Sequence, residues 1–179
     1  MTQPSSSKLT PLDWLDTQED NMVTLLRDLV NIDSNSFDKA GVDRVADRLG
    51  EFFDEQSIPF ETIPIATHGD AMRAVVAGGN GNRPILLCGH RDTVFPTGEV
   101  EKRPFEVRDG KAYGPGVADM KPGLVINAFI LAAFNKFGGH PNPLVGLFTG
   151  DEEIGSPTSQ DVIIAEAKKA RLAFNLSLI

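Results

Sequence analysis

Apolar residues at positions 14, 15, 22, 25, 26, 29 and 30 (Trp14, Leu15, Met22, Leu25, Leu26, Leu29, Val30) recur at helical spacing and predict a first helix. Thr10 is suited to cap it, Pro11 to occupy its first turn, and Asp13 to face the positive end of its dipole. The turn-forming stretch "NIDSNSFD" interrupts the pattern. Val42, Val45, Ala46, Leu49, Phe52 and Phe53 then mark one face of a second helix, which Ile58-Pro59 brings to an end. Strand-like runs follow at "FETIPI" and "AMRAVVAG", the latter closed by the turn "GGNGNRP". "PILLCGH" and "PLVGLFTG" are short and apolar on both faces, as expected of central strands covered on each side. Residues 95–115 read as loop with short strands, and a third helix is predicted over 122–137. "SQDVIIAEAKKA" is read as a helix and "RLAFNLSLI" as a final strand. Alternating strands and helices predict an α/β class: a three-layer α/β/α sandwich around a mostly parallel central sheet.

Composition narrows this only a little. The chain has 179 residues, 41% hydrophobic and 23% charged, enough for one domain with a real core. A net charge of −8 argues against nucleic acid or an anionic membrane surface as the main partner. Cys88 is the single cysteine; it lies within an apolar run and reads as a small buried hydrophobe, compatible with a reducing cytoplasm. The start "MTQPSSSKLT" lacks the pattern of a secretory signal, and no apolar stretch is long enough to span a bilayer. Residues 1–9 are expected to be a disordered tail and the chain to be cytoplasmic.

Three places share a chemical feature. At "CGHRDT" (88–93), "GVADMKPG" (116–123) and "TGDEEIGS" (149–156), an apolar strand or Gly-rich turn gives way to residues that ligate metals. Each has a bland reading alone: a loop histidine, a helix cap at Asp119, a solvated acidic corner at Asp151, Glu152 and Glu153. In open α/β sheets, however, sites gather beyond the carboxyl ends of strands, and the three together fit a metal site better than coincidence. Zinc takes imidazole nitrogen and carboxylate oxygen, and a carboxylate such as Asp119 has two oxygens with which to bridge a pair of ions. Asp92, two residues beyond His90, falls on the same side of an extended segment and suits a partner that fixes the imidazole tautomer. Glu152 and Glu153 would diverge if extended, so that one can ligate while the other serves as a base. A nucleotide-binding reading of "YGPGVAD" is weaker, because it lacks the G-x-G-x-x-G spacing and a P-loop Lys-Ser/Thr pair.

"GHRDTV", "YGPGVADMKPG" and "GDEEIGS" together resemble the co-catalytic zinc family of glutamate carboxypeptidase, acetylornithine deacetylase, succinyl-diaminopimelate desuccinylase and aminoacylase. "FPTGEV" followed by "RPFEVRDGKAYGPG" is most similar to the glutamate carboxypeptidase branch. The resemblance implies two Zn2+ ions, with Co2+ or Mn2+ as alternatives. His90 would ligate one ion, Glu153 the other, and Asp119 would bridge them across a cis peptide to Met120. Glu152 would be the general base and Asp92 would orient His90. The implied reaction hydrolyses an amide bond of a small peptide or N-acyl amino acid.

The same resemblance marks departures. Pro122-Gly123 replaces a pair of glycines, harmlessly at a helix start. Ser177 stands where the family has an acid on the His90 metal, and Leu178 where it often has proline. On this reading residues 10–179 are an N-terminal portion of the catalytic domain. The sandwich is then incomplete, without the family's dimerisation domain or the second ligating histidine. The expectation is weak zinc binding and little hydrolysis by this chain, with a truncated, inactive remnant as the alternative. His68 and His140 have no assigned role, and Lys102, Arg103 and Arg108 read as surface charges.

Overall fold

The computed structural model describes residues 9–80 and 83–177. The expected tail, save Leu9, and Leu178 lie outside the described residues. Helices α1 (Pro11–Leu15), α2 (Glu19–Val30) and α3 (Lys39–Glu55) are followed by strands β1 (Phe60–Ile63), β2 (Ala71–Val76) and β3 (Ile85–His90). A short helix α4 (Glu99–Lys102) and a hairpin of β4 (Glu106–Arg108) and β5 (Lys111–Tyr113) come next. Then follow α5 (Lys121–Lys136), β6 (Leu144–Thr149), α6 (Gln160–Lys169) and β7 (Leu172–Asn175). The main sheet has the order β1-β2-β6-β3-β7. β3 runs parallel to both β6 and β7, whereas β2 is antiparallel to β1 and β6. Four of the five strands therefore point the same way, and β2 alone is reversed.

Helices cover both faces, which gives the predicted three layers. On one face, residues of α2, α3 and α5 such as Leu25, Leu49, Phe53, Leu124 and Phe129 pack on Met72, Leu87, Leu144 and Phe148 of the sheet. Each fully buried side chain of this kind contributes roughly 1.5–3 kcal/mol. On the other face, Val162 and Ile163 of α6 close over Leu86, Val145 and Leu147. All six residues of β6 are buried, which is why its sequence shows no alternation.

The expected first helix is two. Thr10 caps α1 as expected, in a reciprocal capping box with Asp13. The helix then stops because the Thr17 and Gln18 N–H groups bond back to Trp14 and Leu15 carbonyls in tightened turns, and the Thr17 hydroxyl also donates to the Trp14 carbonyl. The break lets Trp14 stack on Phe129 of α5, at 6.1 Å between ring centroids, while α2 turns Leu25 and Leu29 into the core.

Candidate metal centre

Strand direction builds the site. β3 and β6 are parallel with His90 opposite Thr149, and β7 runs alongside with Cys88 opposite Asn175. The carboxyl ends of all three strands therefore reach one edge: His90 ends β3, Asp151–Glu153 follow β6, and Ser177 follows β7. α5 begins above this edge; the Asp119–Met120 peptide before it is cis, as the family resemblance implied. The backbone N–H of His90 donates to Met120 Sδ at 3.1 Å, tying strand and helix start together.

His90 is the centre of the cluster. Its Nε2 lies 3.2 Å from Asp119 Oδ1 and 3.4 Å from Glu152 Oε2. Ligand atoms of His90, Asp119 and Glu153 all fall within 4.8 Å of one another. The imidazole is 2% exposed, but Asp119 and Glu152 are 40% and 43% exposed, so the cluster is closed from beneath and open towards solvent. Asp92 lies behind, its carboxylate 3.3 Å from His90 Nδ1. Nδ1 is also 3.1 Å from the Asp92 carbonyl, so its proton is shared between the two oxygens. Burial pulls the His90 pKa down, but the Asp92 hydrogen bond and the charges of Asp92, Glu152 and Asp119 outweigh it and raise the value to about 9. Burial raises Glu153, and Asp119, Asp92 and Glu152 push it further up, against the pull of His90. Carboxylates crowded round an imidazole in this way fit a divalent cation, which would relieve their mutual repulsion.

The acidic corner is neither extended nor solvated throughout. Glu152–Ile154 form a 3-10 turn, not an extended segment, and both glutamates stay beside His90. Asp151 does not join them. It is fully buried, and its carboxylate accepts bonds from the N–H and hydroxyl groups of Thr158 and Ser159, which hold the turn into α6. His68 lies instead against Thr67 and Thr158, and His140 bonds Asn142 within its own loop. Cys88 is half-buried in the apolar packing beneath α6, with burial pushing its thiol pKa up.

Several supports escaped the sequence reading. Ser36, in a stretch read only as turn-forming, donates to Asp92 Oδ2 at 2.7 Å. Ser177, singled out in the sequence for its position but not for this contact, donates to Asp119 Oδ1 at 3.0 Å. Lys121 is buried and donates to the Leu29 and Ile32 carbonyls at 2.9 and 2.7 Å; burial lowers its pKa to about 7. Arg91, between the two site residues of β3 and its exit, is fully buried and donates to the carbonyls of Val42 and Asp70. Strand alternation gave the one available signal: position 91 must point away from 90 and 92.

A cleft of about 370 Å³ opens beside the cluster, lined by Asp119, Glu153, Val94, Phe95, Tyr113 and Arg103 among others. Arg103, read from the sequence as a surface charge, thus borders the site. Its Nε bonds Glu99 at 2.6 Å and its guanidinium lies over Phe95. Among the described residues, no helix is long and apolar enough to cross a membrane.

Known proteins share both sequence and architecture with this chain. It is 33% identical over 155 residues to carboxypeptidase G2 of Pseudomonas sp. (strain RS-16), covering 83% of this chain and 36% of that one. It is 40% identical over 126 residues to succinyl-diaminopimelate desuccinylase of Burkholderia ambifaria (strain MC40-6), covering 64% and 32%. The chain thus spans about a third of the length of these relatives. Human carnosine dipeptidase 1 superposes with a TM-score of 0.79 at 16% identity, over 94% of this chain and 41% of that one. An M20 family metallo-carboxypeptidase of Sulfolobus solfataricus gives 0.72 at 20% identity, over 87% and 37%; at these identities the likeness is one of fold. The profile of peptidase family M20/M25/M40 matches residues 86–179, more than half of the chain and the part that carries His90, Asp119, Glu152 and Glu153. A sheet edge that gathers those four residues, in a chain with these relatives, makes the protein a member of the M20/M25/M40 peptidase family.

Proposed function

We propose that the protein acts in the metal-dependent hydrolysis of an amide bond in a small peptide or N-acyl amino acid, as in a glutamate-carboxypeptidase-like exopeptidase or a deacylase. The observation that carries this is the convergence of His90, Asp119 and Glu153 within ligand distance of one another. These residues would hold the cation, Asp119 as the bridge if two are bound. Zinc suits one imidazole and carboxylates, and Co2+ and Mn2+ accept the same donors. A bound cation would polarise the scissile carbonyl and acidify the attacking water. Glu152 takes the proton from that water and returns it to the leaving nitrogen; its exposure on the open side of His90 supports this role. Asp92 holds His90 from behind. The net charge of −8 supports a small substrate and not nucleic acid. The single half-buried cysteine supports a cytoplasmic setting.

A second reading rests on Ser177. It brings a neutral hydroxyl to Asp119 at the position where the family resemblance calls for an acid. On that reading this chain holds zinc weakly and turns over little.

The test is a titration of the purified chain with Zn2+, Co2+ and Mn2+, paired with hydrolysis of N-acyl glutamates and dipeptides. The first reading expects metal-dependent turnover that falls by about 10²-fold or more in Glu152→Gln with metal content unchanged. Weak zinc binding with turnover at background would support the second reading. Hydrolysis that survives both a chelator and Glu152→Gln would overturn both.

A further inference from the structure

The Asp92 carboxylate is fully buried and has four donors. Oδ1 faces His90 Nδ1 at 3.3 Å and accepts from the Glu152 N–H at 3.2 Å. Oδ2 accepts from the Ser36 hydroxyl at 2.7 Å and from the Glu153 N–H at 3.1 Å. An ionised carboxylate offers about four lone-pair directions, so all are in use. Three of the donors belong to the site itself: the imidazole, and the backbone of the turn that carries the base and a ligand. The fourth, Ser36, comes from 56 residues away and makes the shortest of the four contacts.

Ser36 is itself held in place. Its own segment is pinned to the chain beyond Asp92: the Thr93 N–H donates to the Ser34 carbonyl at 2.8 Å, Asn35 forms an isolated bridge with Thr93, and the Asn35 side chain donates to the Phe95 carbonyl at 3.0 Å. Ser36 is 2% exposed, so water does not compete for its bond. The terminal torsion of an aspartate is broad and roughly two-fold, and it settles where its partners hold it. With Ser36 gone, the remaining contacts of 3.1–3.3 Å would hold the carboxylate plane less firmly.

We propose that Ser36 is a positioning residue: by fixing the plane of the Asp92 carboxylate, it sets His90 and the Glu152–Glu153 turn in register with each other. This rests on the reading of His90 and Glu153 as cation ligands. It adds that their relative placement is governed from outside all three ligand segments, by the stretch that follows α2.

The test uses the full chain in a double-mutant cycle of Ser36→Ala and Asp92→Asn, with zinc affinity read by competition against a chromophoric chelator. Ser36→Ala is expected to weaken zinc binding about tenfold, within the range for partners of metal-bound groups. In the Asp92→Asn background the same change should alter affinity less than about twofold, because coupled residues are not additive. A full tenfold loss in both backgrounds would show that Ser36 acts independently of Asp92 and would overturn the proposal. A second readout needs no metal: the downfield Nδ1 proton of His90 in the NMR spectrum should be sharp in the unsubstituted protein and broadened in Ser36→Ala. An unchanged resonance would also overturn it. If Ser36→Ala does not fold, Ser36→Cys keeps the volume while replacing a strong donor with a weak one, and enters the same cycle. If the unsubstituted chain binds no zinc, the metal reading fails while the proton resonance still decides the role of Ser36.

Discussion

The Ser177 hydroxyl and the Asp119 carboxylate share a hydrogen bond of 3.0 Å, made to the same oxygen that lies 3.2 Å from His90 Nε2. The parallel pairing of β7 with β3 is what brings residue 177 there. A hydroxyl at this point supplies a neutral oxygen to an acidic cluster, and a carboxylate would add negative charge where a cation is expected.

Ser177→Asp should therefore tighten zinc binding by about tenfold, or 1.4 kcal/mol. Without metal the new charge repels Asp119, so the thermal midpoint of the metal-free variant should fall while that of the zinc-loaded variant rises. Paired melting curves with and without zinc check this. Equal midpoints under both conditions would exclude residue 177 from the site.

His90 carries a proton in the metal-free protein at neutral pH, since its pKa is raised from 6.5 to about 9. That proton's contribution to folding is complete below the unfolded value and is lost as pH rises through about 9. A cation on Nε2 must displace it. Zinc binding at pH 7–8 should release about one proton from His90, and affinity should climb with pH until about 9. Calorimetry in buffers of different ionisation enthalpy measures the count. No release at pH 7 would contradict the assigned ligand.

Lys121→Met should destabilise the fold by about 1–3 kcal/mol, because it leaves the Leu29 and Ile32 carbonyls without their buried donor. Burial lowers the Lys121 pKa from 10.5 to about 7. The charged form is thus disfavoured in the fold, and the stability that Lys121 contributes is present above the unfolded value and lost as pH falls through about 7. The deficit of the variant should accordingly be larger at pH 9 than at pH 6. Urea unfolding at the two pH values tests the sign.

Asp151→Ala should lower stability by about 2–4 kcal/mol, since it strips acceptors from Thr158 and Ser159. Asp151 is held below its ordinary pKa, burial being outweighed by the Ser159 and Thr158 bonds, so its support is lost only as pH falls below the usual carboxylate range. Urea unfolding near neutral pH measures the loss. A variant as stable as the parent would show that Asp151 does not hold the turn into α6.

Much of the site was readable in the sequence because His90 and Asp92, at the end of a buried strand, are costly there unless something pairs with them. Two acidic turns further along the chain were the available partners. The sequence left the role of Asp151 open for a physical reason. An acid after a strand can face the cleft or its own following turn, and only the fold shows that Thr158 and Ser159 claim it. Ser36 was hidden because its contact spans 56 residues and its neighbours look like any turn. The break between α1 and α2 was hidden because three intervening residues leave Leu15 and Met22 still in helical phase.

Arg91 has a consequence for how fast a metal can be taken up. While 90 and 92 face one way, the guanidinium between them is clamped to the carbonyls of Val42 and Asp70 on the other side. The peptide under the imidazole is anchored from above and below, and little reshaping is left for the moment of capture. Once His90 has given up its proton, uptake at this site should be paced by the stripping of water from the arriving ion, so that slowly dehydrating cations load late even where they bind well.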